Sequence, residues 1–310
     1  MSETRLISKS LLRRNFSSIS SPDKPEWLKI KLSSRKILDT KKIVNRQNLT
    51  TVCEEALCPN LNECWSKQHA TFMILGDVCT RSCSFCNIQT GKPKIVDESE
   101  PLRVARAVKD LKLNYVVITS VDRDDLVDGG AMHFYKTIKM IKKLSPNVSI
   151  EILTPDFKNK KNYLESLSKC EINVFNHNLE TVKNLYKDIR PGASYLHSLS
   201  LLKSVKNIKQ NVLTKSGIMI GLGEKLREIQ GIFRDLRSVN VDFLTIGQYL
   251  RPSLKHHPVI KYHDQYYFDT LREIAMNLGF KAVTASPFAR SSFKSNEEYE
   301  IVKSKFKTNA

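Results

Sequence analysis

From Thr71 onward the chain alternates short β-branched runs with longer amphipathic stretches, six times in succession, and this alternation constrains the fold more than any other feature. The expected strands are Thr71–Leu75, Tyr115–Thr119, Val148–Leu153, Ile172–Phe175, Ser216–Ile220 and Asp242–Ile246. Helical spacing of apolar residues marks Pro101–Leu111, Met132–Leu144, Leu196–Ile208 and Glu224–Val239. Strands that alternate with helices pair in parallel, because a parallel neighbour is reached only through a crossover. A seventh, weaker strand, Lys281–Thr284, follows a helix over Asp264–Leu278. The count predicts an α/β fold, a partial (β/α)6 TIM-like barrel rather than a closed eight-stranded one. Functional groups in such folds gather in the loops at the C-terminal strand ends. Here those loops carry Cys79, Cys83 and Cys86, then Ser120–Asp125, Asn176–Glu180, Gly221–Glu224 and Gly247–Gln248. All fall on one rim, which points to a single site.

Six of the seven cysteines form two triplets within residues 53–86. Cys79-Thr-Arg-Ser-Cys83-Ser-Phe-Cys86 has C-x3-C-x2-C spacing, which places three thiolates on one tight loop. Three thiolates can hold three irons of a [4Fe–4S] cube and leave the fourth open to chelate a small molecule. A structural zinc site normally completes four protein ligands, and no His or fourth Cys stands at a suitable spacing here. The first 22 residues are rich in Arg and Ser with one acidic residue, as in an organellar transit peptide or a solvated bacterial arm. They lack a secretory apolar core, so the cysteines read as thiolate ligands before disulfides and the expected location is cytoplasmic, or an organelle if the segment is a transit peptide. No apolar run approaches the ~18 residues of a membrane span. The formal net charge of +18 favours anionic partners, whether nucleic acid, acidic protein or phosphate.

The second triplet, placed after a first barrel strand, resembles the signature of the radical S-adenosylmethionine (SAM) superfamily. The resemblance implies that the open iron binds SAM, whose reductive cleavage yields methionine and a 5′-deoxyadenosyl radical. The first triplet, Cys53-Glu-Glu-Ala-Leu-Cys58-Pro-Asn-Leu-Asn-Glu-Cys64, looks like the N-terminal motif of lipoyl synthases. The similarity runs from about residue 24 to 294, through Lys24-Pro-Glu-Trp-Leu-Lys29, Thr154-Pro-Asp-Phe157, Val174–Glu180, Arg190-Pro-Gly192, Ser216–Glu224 and Arg290-Ser-Ser-Phe293. It implies insertion of two sulfurs, at C6 and C8, into a protein-bound octanoyl-lysine, with two SAM consumed. It also implies a second, auxiliary [4Fe–4S] cluster as sulfur donor, held by Cys53, Cys58, Cys64 and Ser292, with Ser291 the alternative to Ser292.

The implied partners are octanoylated lipoyl-carrier proteins (2-oxoacid dehydrogenase E2 domains and the glycine-cleavage H protein) and a low-potential electron donor, with no nucleic acid and no membrane. The implied SAM contacts are Ser120, Asp122, Asn176, Asn178, Glu180, Arg190 and Glu224. Gly221 and Gly223 are expected to let backbone approach the cofactor. His177 and Cys170 read as packed core residues. The expected organisation is an arm at 1–23, an N-terminal extension at 24–70, the barrel at 71–285 and a C-terminal segment at 286–310, the two extensions closing the barrel mouth. Two positions depart from the family pattern: Phe293 stands where Tyr is usual, and Arg251 where Gln is general. A radical SAM methylthiotransferase acting on tRNA is the alternative; its N-terminal cysteines are spaced differently, and the 16 residues after Lys294 are too few for its RNA-binding domain.

Overall fold

The computed structural model describes residues 20–28, 37–67, 69–160 and 162–308, so most of the expected targeting arm lies outside the described residues. The N-terminal extension forms α1 (Ile37–Arg46), β1 (Thr50–Thr51), α2 (Val52–Glu55) and α3 (Leu61–Ser66). There follow β2 (Thr71–Ile74), β3 (Val78–Cys79), β4 (Gln89–Thr90), α4 (Glu100–Asp110), β5 (Tyr115–Ser120), α5 (Ala131–Leu144) and β6 (Ser149–Leu153). The chain continues through α6 (Tyr163–Ser168), β7 (Val174–Asn176), α7 (Tyr186–Ile189), α8 (Tyr195–Ile208), β8 (Leu213–Ile220) and α9 (Leu226–Ser238). It ends with β9 (Phe243–Gln248), α10 (Gln265–Asn277), β10 (Ala282–Ser286) and α11 (Ser295–Thr308). Among the described residues no helix is long and apolar enough to cross a membrane.

The large sheet runs β1-β2-β5-β6-β7-β8-β9-β10. Every neighbouring pair is parallel except β1 with β2, where Thr50 sits opposite Met73. Seven parallel strands joined by crossovers, with the two edge strands unpaired to each other, make the partial barrel that the alternation implied. Successive strand residues face opposite sides: Val116 and Ile118 of β5 join the core shared with the outer helices, whereas Tyr115 and Val117 point into the lumen with Val174, Leu213 and Phe243. The outer helices present one apolar stripe each. On α9 it is Ile229, Ile232, Phe233 and Leu236, a spacing that places all four on the sheet side. Local caps fix the helix starts: Asp264 accepts from Tyr267 N at 3.0 Å for α10, and Ser194 from His197 N at 3.3 Å for α8.

The lumen is plugged at its N-terminal end by α11. Tyr299 and Val302 enter the lumenal cluster, and the Tyr115 and Tyr299 rings lie 5.5 Å apart. Lys215 of β8, only 1% exposed, donates to Glu298 at 2.6 Å and to Ser295 Oγ at 3.0 Å, and Thr284 Oγ1 also bonds Glu298. β7 begins at Val174, later than the expected run from Ile172 suggested. The Asn173 side chain accepts from Ile150 N at 2.8 Å, so it holds the ladder position ahead of Val174.

Candidate active site

The second triplet sits on a loop that leaves the C-terminal end of β2 and is closed on itself by β3 pairing with β4. Gly91 N donates to Cys79 O at 3.0 Å, Arg81 N reaches Cys79 Sγ at 3.4 Å and Cys86 N donates to Cys83 O at 3.2 Å. Neighbouring loops clamp it from outside. Ser84 N donates to Ile189 O and His257 N to Ser84 O, while a His256 ring nitrogen lies 3.1 Å from Cys86 O. The first triplet is carried by α2, the following turn and α3. Thr51 caps α2, accepting from Glu54 N at 3.4 Å, and Cys58 N donates to Cys53 O at 3.0 Å. The β1–β2 pairing, Asn87 Nδ2 to Glu55 O at 2.9 Å, Arg103 Nη1 to Gln47 O at 2.9 Å and Asn60 Nδ2 to Phe288 O at 2.7 Å are among the contacts that hold this extension to the rest. The last one closes the C-terminal segment over the mouth.

All six clustered thiols line one cavity of about 540 Å³ at the barrel mouth. They are free thiols, as is Cys170, which is fully buried in the core and donates to Ser166 O. Burial pushes Cys53 up to about 11 and Cys64 and Cys79 up to about 12. The same burial raises Cys58 and Cys83, opposed at Cys58 by Arg290 and at Cys83 by Arg190. Within each triplet the thiols raise one another, the mark of mutual proximity. As bare thiols these groups are protonated and inert; they become ligands when a metal displaces their protons. Among the described residues no three His, Cys, Asp or Glu side chains converge to hold a single metal ion.

Of the other expected contacts, Ser120, Asp122, Asn178, Glu180, Arg190, Ser291 and Ser292 all line this cavity. The Cys79 thiol lies 3.8 Å from Asp122, whose carboxyl is raised by burial against the pull of Arg81 and Arg190. Asn178 Nδ2 donates to Glu180 at 2.9 Å and to Ser291 Oγ at 2.6 Å. Arg190 donates to Asn178 O at 2.8 Å and to the Tyr186 hydroxyl at 2.9 Å. Glu180 sits at φ +66°, a conformation that costs a non-glycine residue about 1 kcal/mol or more. Its backbone bridges to Gly217 O and Met219 N, which holds it there.

Two expected contacts lie elsewhere. Asn176 is fully buried and does not line the cavity; its place in β7 turns its Nδ2 to Glu151 of the neighbouring β6, at 2.8 Å. Glu224 accepts from Gly221 N at 2.6 Å and Leu222 N at 2.9 Å, so its carboxylate ties its own turn. Nor does Gly221 make room for a cofactor: an added Cβ would meet Gln248 Nε2 at 2.2 Å and Lys261 O at 2.4 Å. The glycines that shape the cavity are Gly217 and Gly247, inside β8 and β9. A Cβ on Gly217 would press Asn178 Oδ1 and Ser291 Oγ, and one on Gly247 would strike Ala289 O at 2.2 Å. They let the C-terminal segment enter the mouth, and glycine inside a strand is the sequence signal for such close approach.

Sequence reasoning also passed over Arg81 and Asp156. Arg81, on the loop between Cys79 and Cys83, is buried, pairs with Asp124 at 2.8 Å and Asp156 at 2.5 Å, and holds both carboxyls below the usual range against their burial. His177 bonds Thr154 O and Ser198 Oγ, and burial brings it down to about 4, as befits a neutral packed histidine. The donor chemistry fits two iron–sulfur clusters and a polar cosubstrate. There are two all-thiol triads, and among the described residues Arg81 Nη1, Ser120 Oγ, Thr154 Oγ1, Asn178 Oδ1, Arg190 Nε and Thr245 Oγ1 are buried without partners around the same cavity. Such orphaned atoms are costly unless something else satisfies them.

A family model described as the radical SAM superfamily matches residues 73–236, more than half of the chain. Among solved structures, SuiB of Streptococcus suis bound to S-adenosylmethionine aligns with a TM-score of 0.54 at 14% identity, over 80% of this chain and 60% of its own. Methylornithine synthase gives 0.50 at 16% identity, over 68% and 70%, and HydG, a maturase of [FeFe]-hydrogenase, 0.50 at 11%, over 87% and 65%. The chain thus spans less than two thirds of SuiB and of HydG, and at these identities the likeness is one of fold.

Proposed function

The chain belongs to the radical SAM superfamily, and within it we propose that this protein is a lipoyl synthase, a sulfurtransferase that places sulfur at C6 and C8 of a protein-bound octanoyl-lysine. Membership implies one [4Fe–4S] cluster and SAM; the second cluster and the substrate belong to the proposal. The observation that carries it is the convergence of two separate thiol triads, one from the N-terminal extension and one from the β2 loop, on a single cavity. When bound, the first cluster supplies the electron that cleaves SAM to a hydrogen-abstracting radical, and the second supplies the sulfide.

Cys79, Cys83 and Cys86 hold the first cluster, and Cys53, Cys58, Cys64 and Ser292 the second. Ser292 is the better oxygen ligand of the pair, since the Ser291 hydroxyl is already bonded to Asn178 while that of Ser292 makes no hydrogen bond among the described residues. Asn178, Glu180, Arg190 and Asp122 bind the polar parts of SAM. Met73, Val117, Leu153 and Met219 give the cavity an apolar wall for the alkyl chain. The positive surface suits an acidic carrier domain, and thiolate ligation suits a reducing compartment such as the bacterial cytoplasm.

The test is an anaerobic assay of the reconstituted protein with an octanoyl-lysine peptide, SAM and dithionite, followed by mass spectrometry. Lipoyl-lysine is the expected product. Replacing any of Cys79, Cys83 or Cys86 with Ala abolishes 5′-deoxyadenosine formation. Replacing Cys53, Cys58 or Cys64 leaves that cleavage measurable but stops sulfur insertion. Parental cleavage in the first set, or lipoyl product in the second, overturns the assignment.

A further inference from the structure

A second cavity, of about 530 Å³, opens on the outer side of the cysteine loop. Its wall includes Ser82, Cys83 and Ser84 of that loop, and only Cys83 and Arg190 line both this basin and the inner cavity. One layer of side chain therefore separates the first cluster site from the surface. The basin is ringed by Lys183, Lys187 and Lys255, all exposed, none in an ion pair among the described residues. Its acidic member, Asp188, is half-buried beside His257. Leu254, next to Lys255, is 62% exposed. Lysines held out of ion pairs around a concave, partly apolar rim form a surface complementary to negative charge.

We infer that this basin docks the electron donor, and that the donor is a small acidic one-electron carrier protein. The inference rests on the radical SAM reading of the cavity, which requires one electron per SAM cleaved. The reduced carrier loses that electron across the Cys83–Arg190 wall, and the group held by Cys79, Cys83 and Cys86 gains it. No atom is transferred. The barrel mouth stays open for the acylated substrate, so donor and substrate approach from different sides of the cysteine loop.

The test compares the reconstituted wild type with a K183E/K187E/K255E variant, using a purified acidic flavodoxin as the probe. Binding is measured by calorimetry across a salt series, and 5′-deoxyadenosine formation with reduced flavodoxin or with dithionite. A K109E/K112E/K143E variant carries the same net change at exposed lysines elsewhere. The basin variant is expected to bind flavodoxin about tenfold more weakly and with a flattened salt dependence. Its flavodoxin-driven cleavage falls in step, and its dithionite-driven cleavage stays at the wild-type rate. The control variant binds as wild type does. Unchanged flavodoxin binding in the basin variant overturns the proposal, as does an equal loss in the control, or weakened binding of an octanoylated carrier domain in place of flavodoxin. Loss of dithionite-driven cleavage in the wild type would instead overturn the reading of the cavity itself.

Discussion

Adjacent serines cannot be told apart by spacing, yet their surroundings separate them. Ser291 Oγ accepts from Asn178 at 2.6 Å, and Asn178 in turn holds Glu180. Losing one such bond costs about 1 kcal/mol. Ser291→Ala is therefore expected to raise the KM for SAM several-fold while iron stays at about eight per chain, the content of two [4Fe–4S] clusters. Under the proposed function, Ser292→Ala is expected to lower the iron content held by the first triplet and to lower sulfur insertion. Ser292→Cys supplies a softer ligand; it keeps the iron and slows sulfur release. Iron and sulfide analysis of anaerobically purified variants, alongside product yield, checks all three. A full iron complement and wild-type yield from Ser292→Ala would show that its oxygen binds no metal.

The same logic at the scale of elements centres on Asp242, at the start of β9. Burial alone would raise its carboxyl, but Lys206 at 2.6 Å, Lys281 at 2.8 Å and Thr214 N at 2.8 Å hold it below the usual carboxylate range. A depressed carboxyl stabilises the fold above its unfolded pKa, roughly 3.9, and that contribution is lost as the pH falls through the folded value. Asp242→Asn is expected to cost about 3 kcal/mol at pH 7, and the gap from wild type to narrow below about pH 4. Urea melts at a series of pH values decide it; a constant gap would place its origin in packing. The seven parallel strands were legible because each buries β-branched residues in a periodic run. The extension helix α1, the short α6 and α11 were not. α6 is a single turn and a half, and α11 is fixed by partners more than 80 residues away along the chain, such as Lys215. In the site, the second cysteine triad was legible from its spacing and the first from its resemblance to a family motif, and the fold brings both to one cavity. Asn176, Glu224 and Gly221 were misplaced because sequence puts them at the rim without showing that strand and turn bonds use them up.

On the scale of the whole molecule, α11 joins the two ends of the barrel's function. Its side chains plug the lumen, and the segment that leads into it delivers Ser291 and Ser292 to the mouth. Glu298→Ala leaves Lys215 buried without its carboxylate partner, which is expected to cost about 3–5 kcal/mol. The double change Lys215→Met with Glu298→Leu should cost much less. Hydrogen exchange of α11 separates the outcomes: faster exchange in the single variant and near-native protection in the double. Equal loss in both would mean that the ion pair does not anchor the helix.

The Asn60–Phe288 bond also sets an order of events in synthesis. The first triplet is complete at Cys64, while Phe288, in the turn after β10 that bonds Asn60, is 224 residues further on. In a nascent chain made at about 5–20 residues per second, that turn emerges roughly 10–50 s after the triplet. The closed form of the mouth, with Phe288 tied to Asn60, is therefore reached only after the last strand has been made, which makes closure a post-translational step for whatever the first triplet holds.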